Sequence, residues 1–181
     1  MKARSVLQYI EGRWLPVFAV LLSLVLAAPA AHASGKVTFP EYGEPKVVFD
    51  VFLADPRHIT AALSWVRSYM NPLTESPYDL APELMEIVVV IHGTEIVTLA
   101  QHNYEKYRDS VERMRYYASL GVQFKVCGLA ASDYGYSADT FYDFVEIVPS
   151  AMVEVADLQR RGFGLVMPLV HEKHFSVEDI R

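Results

Sequence analysis

The chain has 181 residues, 52% of them hydrophobic and 21% charged, with 16 Lys and Arg against 22 Asp and Glu for a formal net charge of −6. That acidic balance, with no run of Lys or Arg, excludes a phosphate-backbone partner, so no nucleic acid is expected. A single cysteine excludes both an internal disulfide and Cys-x-x-Cys exchange chemistry.

Residues 1–13 (MKARSVLQYIEGR) form a basic leader, WLPVFAVLLSLVLA follows as an apolar run, and APAAHASG supplies small residues. This order reads as a secretory signal peptide over residues 1–33, cut after Ala33. The apolar run is shorter than the roughly 20 residues a spanning helix needs. No stable membrane anchor is therefore expected after cleavage, and the expected location is periplasmic. Removing Lys2, Arg4, Arg13 and Glu11 with the leader takes the net charge from −6 to −8.

Residues 34–45 read as a Gly/Pro-rich N-terminal tail. Lys46 to Leu53 is a β-rich apolar run of strand length, broken by Asp55-Pro56. Ile59, Ala62, Leu63, Val66 and Met70 fall on one helical face, and Asn71-Pro72 is expected to close that helix. Ile87 to Ile91 is five β-branched residues in a row, the pattern of a strand covered on both faces in a parallel sheet.

Tyr107, Val111, Met114 and Ala118 mark a second helix, with Arg108/Glu112 and Asp109/Arg113 spaced for ion pairs on its wet side. Gly121 ends it, and Val122 to Cys127 is a third strand. A short helix (Leu129 to Asp133), an aromatic segment (Tyr134, Tyr136, Phe141, Tyr142) and a fourth strand (Phe144 to Val148) follow. Ser150 is placed to cap a helix over 151–161, which Gly162 ends. Phe163 to Met167 is a fifth strand, stopped by Pro168, and residues 169–181 form a polar C-terminal tail. Five alternations of strand and helix predict one α/β domain with a mostly parallel sheet and right-handed crossovers.

Ligands of open parallel sheets bind beyond the carboxyl ends of the strands. That rim holds Asp55, Arg57 and His58 after the first strand, His92-Gly93-Thr94 after the second, Cys127-Gly128 after the third and Pro149-Ser150 after the fourth. Two readings of Cys127 stand open. It is a small buried hydrophobe, or a nucleophile at a helix start where free N–H groups favour thiolate. His92 likewise either hydrogen-bonds at its strand end or serves the thiol as a proton acceptor. His171 and His174 lack a third ligand nearby, so no metal site is expected. The loop Leu53 to His58 has no glycines for a dinucleotide fingerprint, and neither a phosphate-binding Gly-x-x-x-x-Gly-Lys loop nor a Gly-x-Ser-x-Gly elbow occurs. No cofactor is expected.

The run Val88 to Gly93, the segment GVQFKVC and the closing stretch Val148 to Phe163, taken in order, look like the DsrE/DsrF-like family over residues 46–168. The resemblance implies a flavodoxin-like, three-layer α/β/α fold with five strands, assembled as a trimer or hexamer. It also implies a sulfur-relay role, in which Cys127 matches the cysteine after the third strand that accepts sulfane sulfur as a persulfide. A sulfur donor or acceptor protein would then be a partner. His92 matches a strand-end His-Gly, and a pocket of His92, Gly93, Gly128, Leu129 and Ser150 would surround the anion. Characterised carriers of this kind are cytoplasmic, whereas this chain reads as exported. The alternative is a non-catalytic oligomeric module that binds or senses a small ligand.

Overall fold

The computed structural model describes residues 34–171 and 174–181. The leader expected over residues 1–33 lies outside the described residues. Among the described residues no helix is long and apolar enough to cross a membrane.

Five strands build the sheet: β1 Lys46–Val51, β2 Glu86–Ile91, β3 Gln123–Cys127, β4 Val145–Val148 and β5 Gly164–Val166. Their order is β4-β3-β2-β1-β5, and every pairing is parallel. The helices are α1 Ile59–Thr74, α2 Tyr104–Ser119, α3 Gly128–Asp133 and α4 Ala151–Arg160. Parallel neighbours need a crossover between them, which is why each strand but the last is followed by a helix.

Alternation along the strands sorts the side chains onto two faces. Val47, Phe49, Val51, Ile87, Val89, Ile91, Phe124 and Val126 pack with α1 and α2 in one cluster. Val48, Val88, Val90 and Cys127 form the other with Ala151, Val155 and Leu158 of α4 and with Phe163. The second face has α4 as its main cover, so its interior is small. Burying Val155 and Leu158 there contributes about 2 kcal/mol each.

The expected strands and helices are all present, most with ends one or two residues from those expected, and the end of α1 needs correction. Asn71-Pro72 does not close α1, which runs through Pro72 to Thr74. Pro72 lies exposed in the last turn, where the carbonyl it leaves unbonded is free to turn to water. Arg108 pairs with Glu105 one turn earlier rather than with Glu112, whose carboxylate accepts from the Tyr104 hydroxyl at 3.0 Å. Gly121 (φ +95°) and Gly162 (φ +91°) end α2 and α4 in the left-handed region that side chains disfavour.

Candidate functional site

The helix after β3 contributes Ala131 to the α1/α2 side of the sheet, while the helix after β4 covers the opposite face. Adjacent strands whose following helices go to opposite faces open a crevice between their carboxyl ends, the usual ligand position of an open α/β sheet. By that rule the ligand position falls between β3, ending at Cys127, and β4, ending at Val148; the two residues are register partners.

Asp50 lies between Phe49 and Val51, which face α1 and α2, so alternation turns its side chain to the α4 face. His92 follows Ile91 and turns the same way, and its backbone N–H continues the sheet ladder by donating to the Val51 carbonyl at 3.2 Å. Cys127 follows Val126 and packs in the α4 cluster. Because Ile91 is paired with Val126, His92 and Cys127 occupy the next step of the same register. His92 and Cys127 are thus register neighbours turned to one face, and among the described residues no hydrogen bond joins imidazole and thiol.

His92 is anchored on its other side. Its Nε2 lies 2.7 Å from Asp50 Oδ1, with both side chains largely buried. A carboxylate that accepts this hydrogen bond calls for the tautomer with its proton on Nε2. Phe52 stacks on the imidazole, with ring centroids 5.0 Å apart. The strand-end backbone is held by Glu95, which is fully buried. Its Oε1 accepts from the N–H groups of Gly93 (2.8 Å) and His92 (3.2 Å), and its Oε2 from that of Leu53 (2.9 Å). Burial pushes the Glu95 carboxyl above its ordinary range, against the opposing pull of those backbone donors.

The remaining predicted residues have distinct surroundings. Gly93 is a close-approach position, since a Cβ there would lie 2.6 Å from the Leu53 nitrogen and 2.5 Å from Glu95 Oε2. A Cβ on Gly128 would lie 3.0 Å from the Val148 carbonyl oxygen, so both glycines pack backbone on backbone. Leu129 is exposed. Ser150 takes the N-cap position of α4, but its side chain makes no cap hydrogen bond. Asp55 is locked to Arg57, whose guanidinium holds its carboxyl down at about 2. Tyr136 stacks with Tyr134 and meets Phe141 edge-on, and the His102 ring joins the same group. Among the described residues no group of three His, Cys, Asp or Glu side chains is placed to hold a metal ion.

Cys127 is buried, 6% exposed as a residue, and α3 behind it has only six residues. One row deeper on the same face, Lys125 reaches Glu154 of α4 at 2.7 Å and Glu146 of β4 at 3.3 Å. Burial alone would lower its pKa, but hydrogen bonds and charge from Glu154 and Glu146 outweigh that and raise it. Sequence reasoning missed Asp50 and Glu95. Asp50 did carry a signal, a lone charge inside an apolar strand; nothing local marked Glu95.

A family model described as the DsrE/DsrF-like family matches residues 46–168. No curated protein matches the chain. Among solved structures, it is similar to MTH1491, a protein of unknown function from Methanobacterium thermoautotrophicum. The two are 22% identical, the match covers 67% of this chain and 97% of that one, and the TM-score is 0.54. At that identity the likeness shows the fold.

Proposed function

Since the chain belongs to the DsrE/DsrF-like family, a sulfur-relay type of family, we propose that it is an exported sulfur carrier that holds sulfane sulfur as a persulfide on Cys127. The observation that supports this reading most is the thiol's position. Cys127 ends β3 between oppositely connected strands, in register next to His92, whose imidazole is held by the largely shielded Asp50 carboxylate. With thiosulfate as donor, the Cys127 thiolate attacks the outer sulfur, the S–S bond breaks, and sulfite leaves with the bonding pair. The sulfane sulfur remains as Cys–S–S⁻ with no external oxidant, and an acceptor thiol removes it by the same exchange.

Export rests on the leader, basic then apolar then small, with Ala31-His32-Ala33 before Ser34. Self-association is part of the proposal: Phe52, Leu129, Met152 and Val153 are exposed apolar side chains on the segments that follow β1, β3 and β4. A contiguous apolar patch formed by these side chains would be a contact surface.

The test is mass spectrometry of the mature protein after incubation with thiosulfate or polysulfide. A gain of about 32 Da on Cys127, reversed by dithiothreitol, is expected. Reversal matters because a sulfinic acid has nearly the same added mass and is not reduced. If Cys127 gains no sulfur while a general thiol reagent labels it readily, the carrier reading falls.

A second reading has its own observation. Cys127 packs with Val90, Ala151 and Val155, as an inert core cysteine would. In that case the protein is a non-catalytic oligomeric module for a small ligand. A Cys127→Ser variant with unchanged phenotype and ligand binding would favour it.

A further inference from the structure

We infer that Asp50 is a positioning residue for the thiol at Cys127 and acts through His92: it fixes the imidazole so that Nδ1 takes up the thiol proton. The inference rests on the carrier reading for its substrate but not for its measurement.

Three observations carry it. Asp50, His92 and Cys127 come from three adjacent strands, β1, the end of β2 and β3, and alternation turns all three to the α4 face. The Asp50–His92 contact is short, at 2.7 Å, and both side chains are largely shielded from water, where one such bond suffices to select a tautomer. The backbone of His92 is also fixed, because the Glu95 carboxylate and the Val51 carbonyl both accept its N–H. A histidine held on both sides is an unusual provision for a residue that merely ends a strand.

Asp50 from β1 and the Phe52 ring touch the imidazole, and Cys127 holds the neighbouring register position on β3. Lys125 lies one row deeper and is already paired to Glu146 and Glu154, which leaves Asp50 as the carboxylate bonded to the imidazole. In the reaction, the proton leaves Sγ for Nδ1, and the thiolate attacks the outer sulfur of a persulfide donor R–S–S–H. The S–S bond breaks and R–S⁻ departs with its electron pair, to be protonated by the imidazolium. Cys127 ends as Cys–S–S–H and the donor as R–S–H, so atoms and charge balance without a further reagent.

Asp50→Asn is the informative variant, because asparagine keeps the shape and an acceptor oxygen but loses the charge that supports an imidazolium. The pH profile of Cys127 alkylation by iodoacetamide is measured in wild type, Asp50→Asn and His92→Gln. The wild-type His92 tautomer is read in parallel from ring nitrogen shifts by NMR. Expected are an Nε2–H tautomer and an alkylation rate about tenfold lower or less in both variants near neutral pH, with the pH profile displaced and melting cooperative. An Nδ1–H tautomer in the wild type, or an Asp50→Asn profile that superimposes on the wild type, overturns the inference. The +32 Da assay (one sulfur atom, about 32 Da) is run beside it. Sulfur uptake with an unmoved Asp50→Asn profile sinks this inference alone, and a displaced profile without uptake sinks the carrier reading alone.

Discussion

The Glu95 carboxylate accepts the backbone N–H of Gly93 at 2.8 Å, so closely that a Cβ on Gly93 would lie 2.5 Å from Glu95 Oε2. Residue 93 follows the candidate base directly, and the same clip reaches across to Leu53 after β1. Gly93 is therefore required by space, since its φ of −102° is open to any residue. Gly93→Ala pushes a methyl into the Leu53 backbone, which has no rotamer to yield. A loss of about 3 kcal/mol is expected, seen as a lower urea midpoint at an unchanged slope.

Glu95 also makes stability depend on pH. Its carboxyl is raised above the ordinary 4.5 in the fold, chiefly by burial, so the folded state holds the proton more tightly than the unfolded chain. Its contribution is fully present below about pH 4.5 and is lost as pH rises through the folded pKa. Unfolding free energies measured upward from about pH 4.5 should fall for the wild type, and Glu95→Gln should remove that part of the slope. An identical slope in the variant would assign it elsewhere.

Lys125 reaches from β3 to Glu154 of α4 at 2.7 Å with its side chain 10% exposed. Lys125→Met strands Glu154, which is only partly able to rehydrate, and should cost about 2 kcal/mol. Lys125→Met with Glu154→Leu should recover most of it, because an apolar pair fills the same interior. Chemical denaturation of the two variants gives the comparison. The lysine pKa is raised by Glu154 and Glu146 over the opposing effect of burial. The pair's stabilisation is thus present below 10.5 and lost as pH climbs through the higher folded value.

Leu129 is 64% and Phe52 68% exposed, so a charge at either position costs the folded chain little. If the carboxyl-end surface joins copies of this chain, Leu129→Asp and Phe52→Asp should each reduce the mass found by sedimentation equilibrium while leaving the circular dichroism unchanged. An oligomer that withstands both substitutions uses another face.

Cys127→Ala removes one sulfur from an apolar cluster and should cost about 1 kcal/mol, whereas Cys127→Ser buries a hydroxyl and should cost about 2 kcal/mol. Thermal melting orders the two. The alanine variant, being the milder, is the control for every sulfur-loading experiment.

By itself the sequence determined what depends on neighbours a few residues apart. The β-branched run at Ile87–Ile91 declared a strand covered on both faces, helical spacing found α1 and α2, and glycines stopped α2 and α4. The alternation of elements declared a parallel α/β sheet, and the sole thiol fell at a strand end. Only the tertiary structure decided which strands adjoin, which face each helix covers, and which side chains meet. It carried α1 past Pro72, turned Arg108 to Glu105, and brought Asp50 to His92 and Glu95 to Leu53, each pair 42 residues apart. The physical reason is range. Periodicity records which side of an element is apolar, while a hydrogen bond between strands depends on register and order, which arise when the whole sheet closes its core.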